Sequence, residues 1–112
     1  MARYLVQIPR DSLSDASKAA IARTIGKVHA EVMNVSSDPV QIAITEIDAG
    51  CFFAGGSLLE CDHIFVHGYL PDDDQTRKLR SALSARLAAD VARAADYEPD
   101  STWVSITEAP AP

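Results

Sequence analysis

The chain has 112 residues, of which 47% are hydrophobic and 23% charged, and its formal net charge at pH 7 is −6. This length and composition suit a single globular domain, so we predict one domain over residues 1–112. The acidic balance argues against nucleic acid, because nucleic-acid binding rests on Lys and Arg that neutralise phosphates. The sequence shows neither a long apolar run that could span a membrane nor a secretory leader, so we expect a cytoplasmic protein.

The first part of the chain has the pattern of a strand followed by a helix. Apolar residues occupy every even position from Arg3 to Ile8, and Pro9 closes this predicted strand because it cannot donate to a ladder. A helix is predicted to begin near Ser12 or Ser14, both good N-caps, and to run to about Asn34. Its apolar stripe consists of Ile21, Ile25, Val28 and Val32.

The middle of the chain is predicted to contain a strand and then a glycine-rich hairpin. The strand, Val40 to Ile47, alternates apolar and polar residues, and the glycines from Asp48 to Asp62 surround two aromatic residues. The two cysteines, Cys51 and Cys61, do not form a disulfide framework, so we predict two buried thiols in a reducing compartment.

The last part repeats the order of the first. A strand is predicted over Ile64 to Leu70, a helix over about Asp74 to Asp96, and a strand over Trp103 to Glu108. The helix has an apolar stripe of Leu79, Leu83, Leu87, Val91 and Ala94. A shift of 62 positions, without gaps, places Pro9 on Pro71, Asp11 on Asp73, and Ile44–Glu46 on Ile106–Glu108.

We therefore predict an α/β fold of duplicated β-α-β units, with pseudo-repeats at about 1–50 and 63–112. Right-handed crossovers place both helices on one face of a four-stranded mixed sheet, and a short hairpin is added to it. The opposite sheet face is too apolar to lie in water, which predicts that another subunit covers it. That face carries Leu5, Ala43, His67, Tyr69 and Trp103.

Two motifs resemble the tautomerase superfamily. Val40–Glu46 followed by Gly50–Gly56 is similar to the second strand and hairpin of 4-oxalocrotonate tautomerase. Asp62–Gly68, with Trp103 and Val104 later, is similar to the cis-3-chloroacrylic acid dehalogenase branch. The resemblance implies the duplicated fold, a homotrimer, no cofactor, and keto–enol isomerisation of a small carboxylated enol or keto acid.

The resemblance also implies a site, which this chain matches only in part. The family's catalytic base is an amino-terminal proline, and this chain has Ala2 there, whose amine is free only if Met1 is removed. An ordinary α-amino group with a pKa near 7.7–8.0 can still serve as a weak base. The helix histidine that helps to bind substrate carboxylate matches His29, and the pocket phenylalanine matches Phe52.

The other family positions differ, which argues against hydration or dehalogenation. The two arginines after the third strand fall on Pro71 and Asp74, the second-strand arginine on Gln41, and the last-strand tyrosine near Ser105. The water-activating glutamate falls beyond Pro112. Arg10 and Arg77 are close enough in sequence to replace the missing cations. The alternative to a weak tautomerase is a catalytically silent family member that acts as a binding or assembly module.

The sequence leaves two interpretations of His29 open and argues against a metal site at the other histidines. His29 is either a catalytic group or a packed histidine that a backbone carbonyl satisfies. Cys61, His63 and His67 share strand parity, yet along one strand they spread over roughly 20 Å, too far for one metal ion. We therefore predict no metal site.

Overall fold

The computed structural model describes residues 2–37 and 39–109, with Ala109 described by its backbone alone. Met1 lies outside the described residues, as do Asp38, which belongs to a turn that the sequence predicts at Ser36–Pro39, and residues 110–112 of the short tail that it predicts from Ala109. The elements follow in the order β1 (Arg3–Pro9), α1 (Asp15–Met33), β2 (Gln41–Ile47), β3 (Phe53–Ala54), β4 (Ser57–Leu58), β5 (Ile64–Pro71), α2 (Asp74–Ala94) and β6 (Thr102–Ala109). The predicted helices and strands are confirmed to within a few residues at each end.

The main sheet has four strands in the order β2-β1-β5-β6, and β3 and β4 form a separate hairpin. β1 pairs with β2 in parallel, β5 pairs with β6 in parallel, and β1 and β5 meet antiparallel in the centre. Paired residues of the two parallel ladders are 38 positions apart in both halves, as at Arg3 and Gln41 and at Ile64 and Thr102. The two β-α-β units thus have the same internal register.

The central pairing of β1 with β5 is symmetric about Leu5 and His67, which face each other across the two strands. These two residues are also 62 positions apart, the same shift that relates the two halves of the sequence. The two β-α-β units therefore lie side by side and run in opposite directions. The start of one unit and the start of the other lie at opposite ends of the sheet.

Both helices pack on one face of the sheet, where the even-numbered side chains of β1 point. Tyr4, Val6 and Ile8 are fully buried there, as the strand alternation predicts. The two helical stripes close this core from above, and its helical members include Ile21, Ile25, Val28, Leu83, Leu87 and Val91.

Local signals set the beginning of both helices. Ser14 caps α1, and its side chain accepts a hydrogen bond from the Ser17 N–H at 3.1 Å. Asp73 caps α2 in the same way through the Thr76 N–H. At the other end of α1, Asn34 adopts the left-handed conformation that ends many helices.

The opposite face of the sheet carries large apolar side chains that solvent reaches. Leu5, Tyr69 and Trp103 are 37%, 39% and 44% exposed, and the Trp103 ring lies 4.7 Å from that of Phe65, centroid to centroid. The prediction of an apolar second face is confirmed for these residues. None of the helices in the described part of the chain is both long and apolar enough to cross a membrane.

The prediction of two buried thiols is wrong. Cys51 and Cys61 are both free and exposed. They lie in the segment between β2 and β5, outside the strands of the main sheet and the two helices, where no alternation directs a side chain toward the core.

Candidate functional site

A cavity of about 230 Å³ opens at the end of the sheet where β1 begins. The last turn of α1, the segment before β2, the end of β5 and the first turn of α2 surround it. Its walls are mostly apolar, with a few polar groups that come from the two helices, from the cap of α2 and from the segment before β2. The lining residues are Ala2, His29, Met33, Val35, Ser36, Pro39, Val40, Leu70, Pro71, Asp73, Gln75 and Thr76.

His29 reaches this cavity from α1 and is held by Tyr4 of β1. The Tyr4 hydroxyl lies 2.7 Å from Nδ1 of His29, and both residues are buried. Burial raises the pKa of Tyr4, so its hydroxyl keeps its proton. Burial also lowers the pKa of His29, so the ring is neutral at pH 7. In the network that fits these states, Tyr4 donates to Nδ1 and the imidazole proton is on Nε2.

Gly68 of β5 makes room for the tyrosine that holds His29. Tyr4 and Gly68 face each other across the central strands. A Cβ on Gly68 would lie 2.8 Å from Cε1 of Tyr4 and 2.7 Å from Cδ1 of Ile106. Any side chain at this position would therefore displace the Tyr4 ring or the Ile106 side chain, and the glycine leaves space for the tyrosine that meets His29.

Ala2 is fixed at the cavity wall by the sheet. The residue is only 5% exposed, and its carbonyl oxygen accepts a hydrogen bond from the Gln41 N–H at 3.1 Å. Because β1 begins at the next residue, the position of Ala2 follows from the β1–β2 register. The structure thus brings two of the predicted site residues, Ala2 and His29, to the same cavity.

The cap and first turn of α2 supply further polar groups of the cavity. The Asp73 carboxylate accepts the Thr76 N–H at 2.8 Å, and this bond lowers the pKa of Asp73. Asp73 is therefore ionised at neutral pH. Gln75 donates from Nε2 to the carbonyl oxygen of Met33 at 2.5 Å, which ties the beginning of α2 to the end of α1 across the cavity.

Three predicted site residues do not line this cavity. Phe52 is buried at the opposite end of the sheet, where its ring meets that of His63 edge-on with centroids 4.3 Å apart. Arg10 follows β1 at that same end and binds Asp48 through Nε at 2.8 Å. Since β1 is seven residues long, roughly 20 Å separates the two ends. Within one chain, Phe52 and Arg10 lie far from Ala2.

Arg77 lies on α2 at the same end as the cavity, but its guanidinium points to its own neighbours. It forms ion pairs with the carboxylates of Asp72 and Asp74, the latter at 2.6 Å. These hydrogen bonds and charges raise the pKa of Arg77, with that from Asp74 the largest. The residue that could replace a lost family arginine is thus already neutralised by two acids.

The histidine and cysteine residues near β5 do not form a metal centre. Across residues 2–37 and 39–109, no group of three or more His, Cys, Asp and Glu side chains is arranged to hold a metal ion. His63 is buried, and its Nδ1 donates to the carbonyl oxygen of Cys61 at 2.8 Å. It is therefore a packed histidine with a backbone partner.

The fold of this chain, and not its sequence, is closely similar to that of known proteins. A comparison with protein-family models finds no match, and a comparison with curated proteins finds none either. A crystal structure of a member of the cis-3-chloroacrylic acid dehalogenase family superposes with a TM-score of 0.90 at 22% identity, covering 96% of this chain and 75% of that one. The chain has the tautomerase-superfamily fold.

Two trimeric relatives support the same assignment of this tautomerase fold. A wild-type fused 4-OT that forms an asymmetric trimer has a TM-score of 0.85 and 23% identity, covering 96% of this chain and 86% of that one. A wild-type fused 4-OT that forms a symmetric trimer has a TM-score of 0.84 and 18% identity, with coverages of 96% and 85%. A shared fold does not fix an activity, which has to be argued from the side chains at the cavity.

Sequence reasoning missed three residues of this site, namely Tyr4, Gly68 and Asp73. Tyr4 and Gly68 looked like ordinary strand positions, and only the pairing of β1 with β5 shows that one makes room for the other. Asp73 did carry a signal, because an aspartate directly before a helical pattern is a typical helix cap. Nothing in the sequence pattern placed that cap beside His29.

Proposed function

We propose that this protein is a tautomerase that interconverts the keto and enol forms of a small carbonyl compound in the cavity beside Ala2. The observation that carries the proposal is that Ala2 and His29 line the same cavity. At about 230 Å³ the cavity lies below the usual range for drug-sized ligands, which fits a small substrate. The tautomerase-superfamily fold supports the same reaction class.

Keto–enol isomerisation needs only one base and one orienting group. With Met1 removed, the free amine of Ala2 accepts the enol hydroxyl proton and returns a proton to the adjacent carbon, so the atoms balance. The Nε2–H of His29 donates a hydrogen bond to the substrate oxygen, whose negative charge increases as the proton leaves. Tyr4 fixes the ring orientation through Nδ1. An ordinary amine is a weaker base at pH 7 than one with a lowered pKa, so we expect slow turnover.

The first test is ketonisation of phenylenolpyruvate and of its methyl ester by protein whose N-terminal mass shows the loss of Met1. Replacing His29 with Ala should lower the rate at least tenfold, because the donor to the substrate oxygen is lost. His63→Ala is the matched control, since His63 is equally buried but lies at the opposite end of the sheet. An equal loss in both variants would indicate a general effect on the fold and remove His29 from the site.

Replacing Ala2 with Pro tests the alternative of a catalytically silent binding module. The absence of a proline and the presence of the Asp73 charge at the cavity favour that alternative. If the remaining cavity is competent, Ala2→Pro with Met1 removed should raise the ketonisation rate. A rate that stays at the level of buffer in this variant would support the silent module.

We further propose that the chain forms a homotrimer through the apolar face of its sheet. The exposure of Leu5, Tyr69 and Trp103 on that face, and the trimers formed by fused 4-OT relatives, support this. Sedimentation equilibrium should give three times the 12.0 kDa chain mass. Leu5→Glu places a charge at the centre of the face and should yield monomers, whereas Arg23→Glu on the outer side of α1 should not. A monomeric parent protein would contradict the proposal.

A further inference from the structure

We propose that Asp73 forms an ion pair with the amino-terminal ammonium of the mature chain in this cavity and so favours the protonated amine. The inference rests on the proposed function, because it concerns the amine that the proposed reaction uses as its base. Asp73 is then a positioning residue, which acts on the substrate through that amine. Ala2 carries the ammonium once Met1 is removed, and both Ala2 and Asp73 line the same cavity of about 230 Å³.

The strand pairing brings the start of β1 beside the turn that carries Asp73. In the antiparallel ladder of β1 with β5, Arg3 faces Tyr69. Continued toward the ends of both strands, this pairing brings Ala2 beside the last residues of β5, which ends at Pro71. Asp73 caps α2 two residues later, and its N–H donates to the Pro71 carbonyl oxygen at 3.1 Å. This tight turn places the acid at the end of the sheet where β1 begins.

The charges in the cavity show the same proximity. Hydrogen bonding by Thr76 is the largest cause of the lowered pKa of Asp73, and the positive charges of Arg77 and of the chain's N-terminus lower this pKa further. The N-terminal charge also adds to burial in lowering the pKa of His29, so it acts on both side chains. An interaction between two charges is mutual, and the Asp73 carboxylate therefore raises the pKa of the terminal amine. Loss of the first residue moves this amine by one position, onto the cavity wall itself.

The other charged groups around the amine leave Asp73 as its partner. Among the wall residues that the structure describes, Asp73 is the one side chain with a formal charge, since His29 is neutral at pH 7. Arg77, one turn further along α2, forms ion pairs with two neighbouring acids. Arg3 follows Ala2 directly, but it is exposed and lies at an odd position of β1, on the sheet face away from the helices. The two opposite charges at the wall are thus the ammonium and Asp73.

The ion pair has a direct consequence for the pH dependence of the proposed reaction. Ketonisation uses the free amine, whereas a nearby carboxylate favours the ammonium. The rate should therefore rise with pH through an amine pKa that lies above that of an ordinary chain terminus. Without the carboxylate the same rise should occur at lower pH, so Asp73 lowers the rate near neutrality.

The test follows the titration of the amine itself in protein whose mass shows the loss of Met1. The ¹³C shift of the Ala2 methyl group, identified by its absence in Ala2→Ser, reports that titration in NMR spectra recorded from about pH 5.5 to about pH 10. In Asp73→Asn the midpoint should move to lower pH, and acetylation of the terminus at about pH 6.5 should be about threefold faster. Asn also caps helices well, so the variant removes the charge and keeps the helix start.

Two variants serve as matched controls. Asp11→Asn removes the same charge 62 positions before Asp73, at the opposite end of the sheet, and Asn tolerates the left-handed backbone there, with φ of 62°. Asp38→Asn removes an acid from the segment before β2, at a position outside the described residues. Neither control should move the titration of the Ala2 amine.

Two results would overturn the ion pair. They are an unchanged midpoint in Asp73→Asn, and a shift in either control that equals or exceeds the shift in that variant. Ketonisation rates separate this inference from the proposed function. If the amine titration shifts in Asp73→Asn but no protein accelerates ketonisation at any pH, the proposed function fails and the ion pair stands. If the parent is active while the midpoint and the pH–rate profile both stay unchanged in Asp73→Asn, the ion pair fails and the proposed function stands.

Discussion

The two ends of the sheet have the same backbone architecture but different side chains. At the end with the cavity, the Tyr4 hydroxyl meets His29 across Gly68. A shift of 62 positions leads to the other end, where a valine stands at each corresponding position. These valines are Val66 for Tyr4, Val91 for His29 and Val6 for Gly68, and all three are buried.

The pairing pattern explains why the three differences go together. Tyr4 faces Gly68 across the central strands, and Val66 faces Val6 in the corresponding place. A tyrosine at position 66 would need a glycine at position 6, and a histidine at position 91 would need that tyrosine. A polar site of this kind therefore requires three coordinated side chains, which the β-α-β architecture alone does not supply.

The helices of the two units also differ at their N-terminal ends. α1 begins at Asp15, which corresponds to Arg77 by the same shift, whereas α2 begins three residues earlier at Asp74. This additional turn brings Asp73, Gln75 and Thr76 to the cavity. In the first unit the corresponding residues precede the helix. The extra turn thus gives one end its charge and its polar contacts.

Of the substitutions that test this difference between the two ends, Val91→His should have the largest effect on stability. It adds a histidine at the end where a valine replaces the tyrosine that would bind it. We expect a loss of about 2–5 kcal/mol in the free energy of unfolding, because the imidazole would be buried without a partner. Urea unfolding monitored by circular dichroism measures it. Val91→Leu adds comparable bulk without polarity, so we expect it to cost about 1–3 kcal/mol less than Val91→His. Equal losses of unfolding free energy in the two variants would show that the size of the new side chain, and not its polarity, causes the destabilisation.

A smaller effect should follow from Gly68→Ala, which removes the space that Tyr4 needs. The new Cβ would press on the Tyr4 ring and the Ile106 side chain, and we expect a loss of about 1–3 kcal/mol in unfolding free energy. The His29 ring signals should shift in NMR spectra because the tyrosine is displaced. Gly50→Ala is the control, since a Cβ there meets nothing within 4 Å and should change stability by less than about 0.5 kcal/mol. A Gly68→Ala protein with parent stability and unshifted His29 signals would refute this role for glycine.

The fold was predictable because its signals are local. Alternation at Tyr4, Val6 and Ile8 and the stripes of both helices depend only on chain periodicity, and the burial of these residues confirms them. The internal repeat showed that the chain contains two β-α-β units, one after the other. The thiol prediction at Cys51 and Cys61 was wrong because the segment that carries them has no such periodicity.

The candidate site was predictable only in part. Ala2 and His29 line one cavity, whereas Phe52 and Arg10 lie at the other end of the same chain. Arg10 and Phe52 follow the far ends of β1 and β2, so the length of those strands separates them from Ala2. The end of β5 and the start of α2 reach the cavity because β5 runs antiparallel to β1, and no local pattern in the sequence states that direction.

By itself, the sequence determined which residues form helices and strands, which face of each is apolar, and that the chain consists of two similar units, since these follow from the period of each element and from the caps beside it. The tertiary structure alone decided that Gly68 admits Tyr4, that Tyr4 holds His29, and that a capping aspartate stands at the cavity wall. The physical reason is that each of these relations joins residues far apart in the chain, and only the pairing of the central strands and the packing of the helices bring them into contact.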